Sequence, residues 1–506
     1  MSKAQTILFF IFQFLLCLIL LYFFSGWVFP FTTDSVIYVS TADHIHHNKG
    51  LLFSNFFIQP PELDSIPTWF APPGYPILIV VLKFLGINEY TASLTLPHVG
   101  FLLLPFLFFM VFTTFMPTTV ACLASFVCTF MFSTLKCSLI AWSDVPYLCF
   151  SLFSLVAVFR IIAKKTKVAI PFILLAGALS GFSVLVRFVG VTLVASIVTG
   201  LIVMTVMRLI SVKDFIKTIT FYGLGVFMTI APYLLRNLLA FGVLQPYNTP
   251  PSNVPLLTNL HDYLNILAEM IFTHYSFAAV IVMIIAGGSL WFIFYFKKSI
   301  KIKQGQLIYP LILFIYFFYG SIFLIAYKTI YYGPEPIDDR YLLQVAWIMM
   351  GGLVHIFYLL LKKLDSSYTI GIRLITILLL LVFILAQIFP AMDFYFSQKK
   401  IKALATKIQH HIPLVEKLPV HWVIVSNVVD MTYYFSKRNT RMLRHYTPYD
   451  LLNILGSKRR FVVFLVKELE FSSPSWEYAR WWWRNPSGYY RAFSDKDLDL
   501  FVPIQK

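Results

Sequence analysis

The sequence predicts an all-α polytopic membrane domain followed by a small α/β domain on the non-cytoplasmic face. Three observations carry that prediction. Of 506 residues, 59% are hydrophobic and only 12% charged, with 52 phenylalanines, and the mean hydropathy is +0.77; soluble domains use about 25% charged residues to coat their surface. Apolar runs of about 20 residues, the length that crosses a bilayer, recur as far as Pro390. Beyond Pro390 the runs shorten to strand length and alternate with polar stretches.

The candidate spans lie near 5–28, 91–114, 118–137, 145–163, 168–187, 190–209, 216–239, 272–296, 307–330, 341–362 and 370–391, about eleven in all. The first is too long for the apolar core of a signal peptide and lacks a small-x-small cleavage site, so it reads as a span. Residues 73–87 (PGYPILIVVLKFLGI) are apolar but short and carry Pro76 and Lys83. Parity decides their role. Counted as a span, they put Lys164, Lys165, Lys167, Lys297, Lys298, Lys301 and Lys303 outside; counted as an interfacial helix, they put those clusters inside, with Lys362, Lys363 and Arg373. The positive-inside bias favours the interfacial helix. The N-terminus is then cytoplasmic, and the outer segments are 29–90, 138–144, 240–271, 331–340 and the tail. The predicted domains are 1–392, a membrane domain that includes the first outer loop 29–90, and 393–506, a C-terminal soluble α/β domain.

Within the tail, His421 to Asn427 and Arg460 to Lys467 read as buried strands, and 428–438 and 447–456 as helices. Pro474 suits the start of a third helix, and Gly488 to Ser494 and Asp499 to Pro503 read as edge strands. The net charge of +17 is carried largely by short loops between apolar runs, and no zinc finger, stacking platform or basic helix supports nucleic-acid binding. The five cysteines, Cys17, Cys122, Cys128, Cys137 and Cys149, all lie in or beside apolar runs, which implies neither a disulfide framework nor a zinc site.

The candidate chemistry gathers at the outer ends of the spans. Asp34 follows the first span at the water interface, where an apolar wall can raise a carboxylate's pKa and make it a base; an acid stabilised by a helix N-terminus is the alternative. Trp69 to Pro76 (WFAPPGYP) forms a rigid corner that can set Trp69 or Tyr75 against a ligand. Asp144 opens a run in AWSDVPY, as a second acid or as an N-cap. Arg187, Arg236 and Arg340 approach the outer face, and a phosphate is their natural shared ligand because guanidinium forks match its oxygens; snorkelling to headgroups is the alternative for each. His44, His46 and His47 have spacings unsuited to one ion, so no metal site is assigned.

In chain order, Asp34 with Tyr38, APPGYPILIVVLKFLG at 71–86, WSDVPYL at 142–148, LVRFVG at 185–190, APYLLRNLLAFG at 231–242 and DDRYLL at 338–343 resemble the GT-C superfamily of membrane glycosyltransferases. The pattern is similar to bacterial relatives of protein O-mannosyltransferases and lipid A aminoarabinose transferase. The resemblance covers the membrane part, and the tail resembles domains of that group. It implies an inverting transferase that moves a sugar from a polyprenyl- or dolichyl-phosphate donor to a lipid, glycan or protein acceptor outside the cytoplasm. It further implies Asp34 as general base, Asp144 as a second acid, Arg340 at the lipid phosphate with Arg187 and Arg236 beside it, and Asp339, Tyr75 and Tyr341 as binding residues. The expected location is the plasma or inner membrane, with the tail periplasmic or extracytoplasmic and membrane lipids as neighbours. Many relatives carry two adjacent acids in the first loop, whereas Ser35 follows Asp34 here; no cofactor is assigned, and a divalent metal stays open.

Two other classes compete. A transporter or flippase of lipid-linked sugars favours repeats and ionisable groups near the bilayer midplane, whereas the ionisable groups here gather at span ends. An inactive scaffold would keep the same fold and bind a partner through the tail, and donor binding lost in Arg340→Ala argues against it.

Overall fold

The computed structural model describes residues 1–54, 65–67, 72–163, 170–244, 254–272, 308–331, 338–363, 369–418, 423–426, 429–436, 440–442, 461–466, 489–494 and 498–503. The chain divides into two compact units. The first comprises Met1–Phe24, Trp69–Tyr75 and Thr95–Phe394, and the second comprises Ser25–Thr68, Pro76–Leu94 and Tyr395–Lys506.

Helices dominate the first unit. They are α1 (Lys3–Ser25), α4 (Glu89–Phe112), α5 (Thr118–Thr129), α6 (Phe132–Leu139), α7 (Asp144–Ala163), α8 (Ile170–Val186), α9 (Gly190–Val206), α10 (Val212–Phe241), α11 (Leu256–Phe272), α12 (Ile308–Tyr331), α13 (Asp339–Lys363) and the first half of α14 (Thr369–Glu416). Between α1 and α4 the chain forms α2 (Thr33–His46), a short antiparallel pair of β1 (Leu52–Ser54) and β2 (Ser65–Pro67), and α3 (Gly74–Phe84). Among the described residues, five helices are long and apolar enough to cross a membrane, or six if α5 and α6 form one bent span. The protein is an integral, multi-pass membrane protein. Each apolar run anticipated from the sequence is helical except 272–296, which lies almost wholly outside the described residues. Helix α3 has 11 residues and, at 1.5 Å each, reaches only about 16 Å against a hydrocarbon core of about 30 Å.

The run at 118–137 departs from expectation: it is not one helix but two, bent by 52°. Met131 adopts extended dihedrals (φ −58°, ψ 135°) at the start of α6. The break frees backbone donors, which an apolar surround penalises. The amide of Phe132 donates to Gln387 Oε1 at 2.7 Å, from helix α14. That partner is 255 positions away, so apolarity along the run does not reveal it.

Helices α8 and α10 meet through small residues, as membrane helices do when backbones approach closely. A side chain at Gly177 or Gly225 would collide with the backbone carbonyl of Tyr222 or Leu174 on the facing helix. Buried hydroxyls join the same seam: Tyr222 donates to Ser180 Oγ at 2.7 Å, and Ser180 pairs with Ser154 of α7 at 2.5 Å. All five cysteines are free and buried.

The second unit carries a five-stranded sheet in the order β4-β3-β5-β7-β6. Its strands are β3 (Val423–Ser426), β4 (Thr440–Met442), β5 (Phe461–Val466), β6 (Tyr489–Ser494) and β7 (Leu498–Pro503), with α15 (Val429–Ser436) after β3. Strands β3 and β5, the two apolar runs read from the sequence, lie parallel with Val423 opposite Phe461 and Ser426 opposite Phe464. Strands β7 and β6 add antiparallel neighbours, and β4 extends the other edge in parallel. The helix expected at 447–456 and the one opening at Pro474 fall outside the described residues. Helix α14 continues through Pro390 to Glu416, further than the shortening of apolar runs suggests.

Candidate functional site

The first unit assembles a charged cluster where five helices begin or end. Helix α13 supplies Asp339, Arg340 and Tyr341 from its first turn, helix α6 supplies Lys136 from its last turn, and helix α12 supplies Lys328 near its C-terminal end. Trp142 and Ser143 lead into α7, whose first residue is Asp144 and whose first turn holds Pro146, a residue compatible with that turn because it sacrifices no helical bond there. Arg187 follows directly after α8, in the tight turn before α9.

Tyr341 is the hub. Its ring lies 4.8 Å from the Arg340 guanidinium carbon, 4.9 Å from Lys328 Nζ and 5.6 Å from the Arg187 guanidinium carbon. All three lie within the range over which a cation is drawn to an aromatic face. The Arg340 guanidinium also covers the Trp142 ring at 4.9 Å and donates to the Tyr341 hydroxyl at 2.9 Å. Lys328 is buried, at 2% exposure.

Acids counter these cations in defined pairs. Arg187 Nη1 meets Asp144 Oδ1 at 2.5 Å, and the Asp144 side chain is only 4% exposed. Lys136 Nζ meets Asp339 at 2.7 Å and Asp338 at 3.5 Å, while Arg340 Nε stands 4.0 Å from Asp338. Asp338 and Asp339 precede the apolar run at 341–362. Burial pushes the Asp339 carboxyl up to about 7, with its neighbour Asp338 adding to the rise. Burial acts the same way on Asp338, but its hydrogen bond with Asp339 and the charges of Lys136 and Arg340 outweigh it and hold it near 2.

Of the residues singled out from sequence, Asp144, Arg187, Asp339, Arg340 and Tyr341 therefore stand together. Tyr75 is fully buried at the Pro-Gly corner. The corner approaches the LVRFVG segment closely, since a Cβ on Gly74 would lie 2.6 Å from the Leu185 carbonyl. Trp69 lies outside the described residues. Arg236 donates to Asn237 Oδ1 at 2.9 Å and sits 5.1 Å from the Phe241 ring, both within its own helix. Lys136 and Lys328 were not singled out from sequence. The signal that marked the arginines, a basic side chain at the outer end of an apolar run, applies to both.

Asp34 belongs to the second unit. Thr32 caps α2, and a reciprocal pair of bonds between Thr32 and Ser35 closes a capping box around it. Asp34 sits in that first turn, half-buried. Farther along α2, Asp43 bonds Lys83 of α3 at 2.9 Å, and Lys83 reaches Glu89 at 3.2 Å. His44 and His47 bond carbonyls of their own helix through Nδ1. Among the described residues, no three His, Cys, Asp or Glu side chains are grouped to hold a metal ion.

No protein-family model matches the chain, and no curated protein matches its sequence. Solved structures do match its fold. ArnT from Cupriavidus metallidurans bound to undecaprenyl phosphate is similar with a TM-score of 0.58 at 10% identity, over 99% of each chain. The oligosaccharyltransferase of Archaeoglobus fulgidus in its apo form is similar with a TM-score of 0.59 at 11% identity, over 100% of this chain and 75% of the other. The same archaeal enzyme, AglB, in complex with an inhibitory peptide and a dolichol-phosphate matches at 0.57 and 12% identity. At these identities the likeness is one of fold: the chain shares the fold of ArnT and of the archaeal oligosaccharyltransferase.

Proposed function

We propose that this protein is an inverting membrane glycosyltransferase that takes a sugar from a polyprenyl- or dolichyl-phosphate donor and passes it to a lipid, glycan or protein acceptor outside the cytoplasm. The observation that carries the reading is the set of three cations around one tyrosine ring. Arg187, Lys328 and Arg340 converge on Tyr341, and an anion of two or more oxygens is the ligand that several such donors can meet at once. A lipid phosphate is that anion, and the structures of similar fold were determined with undecaprenyl phosphate and with dolichol-phosphate.

In this reading the anomeric carbon is attacked by an acceptor hydroxyl while its bond to the phosphate oxygen breaks. The hydroxyl proton passes to Asp34, and the charge developing on the leaving phosphate is met by Arg340, Arg187 and Lys328, fixed before the reaction begins. Asp144 acts by holding Arg187, and Asp339 acts by holding Lys136. Nearby carboxylates also favour an oxocarbenium-like sugar centre. The topology that accompanies this reading has about eleven spans, a cytoplasmic N-terminus and a C-terminal α/β domain at 393–506 on the outer side.

Purified protein in liposomes, given a panel of radiolabelled polyprenyl-phosphate sugars and a cell-envelope extract as acceptor, tests it. Transfer is expected from the parent protein and is abolished in Asp34→Asn, while Arg340→Ala loses donor binding. Movement of donor across the bilayer without a new glycosidic bond would replace this reading with a flippase.

A further inference from the structure

The linker between α1 and α2 is only six residues beyond Gly26, yet it is gripped along its length by residues from the far C-terminal part of the chain. Val28, Phe29 and Phe31 are buried. The Gly26 carbonyl accepts a bond from Lys402 Nζ. The Trp27 and Tyr395 rings meet edge to face at 5.2 Å. The amide of Phe29 donates to Gln398 Oε1 at 3.1 Å, and Gln398 is itself buried. Phe31 stacks on Tyr434 of α15 with centroids 4.5 Å apart. Tyr434 also packs edge to face with Phe29 at 5.7 Å and with Tyr90 at 5.0 Å. All of these residues belong to the second unit, as does Asp34.

We infer that Tyr434 and Gln398 are positioning residues for Asp34, so that the C-terminal segment is part of the catalytic apparatus rather than an appendage. The inference rests on Asp34 being the base. The physical chain is short. Phe31 adjoins Thr32, Thr32 caps α2, and Asp34 stands two residues beyond the cap. The linker's Phe29 amide has Gln398 as its acceptor, and a buried amide without one is costly. Aromatic pairs such as Phe31–Tyr434 favour a narrow set of geometries, so they fix orientation as well as separation. Removing either grip lets the start of α2 move, and with it the carboxylate. A base displaced by about 1 Å can lose on the order of a hundredfold in rate without any loss of substrate affinity.

Three full-length variants in liposomes test this: Tyr434→Ala, Tyr434→Phe and Gln398→Leu. Each is assayed for kcat and donor KM and for amide hydrogen exchange in a peptide covering residues 26–40. Tyr434→Ala and Gln398→Leu are expected to lower kcat by about ten- to a hundredfold with donor KM close to the parent's, and to accelerate exchange in that peptide. Tyr434→Phe keeps the ring and is expected to restore both readouts. Parental kcat in Tyr434→Ala and Gln398→Leu overturns the inference, as does a loss in Tyr434→Phe equal to that in Tyr434→Ala. Should Tyr434→Ala fail to insert, Gln398→Leu carries the same expectations alone. Full turnover by Asp34→Asn would remove the base assignment instead, and the exchange measurement would then report only whether the linker is held.

Discussion

Arg187 and Asp144 are each legible in the sequence as an isolated oddity, a charge at the end of an apolar run, but only the fold shows that they are partners. Asp144 is almost wholly buried and Arg187 is 18% exposed, so removing one breaks an ion pair at a largely buried charge. Breaking a buried pair in this way costs about 3–5 kcal/mol. Arg187→Ala is therefore expected to lower thermal stability in detergent markedly, whereas Arg187→Ala combined with Asp144→Asn recovers much of the loss; equal melting of single and double variants would contradict the pairing. Asp339 makes a second prediction at this scale. Its carboxyl is raised from the ordinary 3.8 to about 7, so ionising it works against the folded state and stability falls as pH climbs through that interval. Below about 7 the protonated acid no longer balances Lys136, and the cluster gains positive charge. Affinity for polyprenyl phosphate, measured by fluorescence titration, should weaken as pH rises through about 7, and Asp339→Asn should flatten that dependence. Sequence pattern could not deliver these pairings, because Lys136 and Asp339 are separated by 203 positions. It did deliver the arginines, since an ionisable group beside an apolar run is costly wherever it goes.

Helix existence was far more legible than helix continuity. Runs of apolar residues mark α1, α4 and α7 to α10 within a few residues, because length and hydropathy are the physical requirements for crossing a bilayer. The break between α5 and α6 has no proline or glycine to announce it: the sequence there reads Thr129-Phe130-Met131-Phe132. What permits it is the acceptor provided by Gln387, a polar residue late in the run at 370–391 that spacing alone leaves unexplained. Gln387→Leu keeps the bulk and removes the acceptor. An unsatisfied amide in such surroundings costs about 1–3 kcal/mol, and the variant is expected to melt earlier in detergent, while Gln387→Glu or Gln387→Asn is judged by whether the acceptor still reaches. Unchanged melting of Gln387→Leu would mean that the bend is held by packing instead. The glycines of α8 and α10 were equally silent in the sequence, since only the facing backbone reveals why a side chain is excluded there.

At the scale of the whole molecule, one short helix decides which face carries the chemistry. Residues 73–87 were assigned to the interface because only then do the lysine clusters fall on one side, and α3 proves to be 11 residues long, about half of what a span requires. Lys83 on that helix is engaged with Asp43 and Glu89. If α3 does not cross, the helices that follow alternate from a cytoplasmic N-terminus, which places Lys213 in a cytoplasmic loop and Asp338 and Lys400 outside. The five native cysteines are all buried, so single cysteines introduced at exposed positions can be read against a quiet background. Lys213→Cys is expected to react with an impermeant maleimide only after the membrane is opened, and Lys400→Cys in intact cells. Both positions reactive from the same side would show that an odd number of crossings had been miscounted between them. Reversal of both would turn the cation cluster of Arg187, Lys328 and Arg340 toward the cytoplasm, where the donor's sugar would have to be presented from the opposite leaflet.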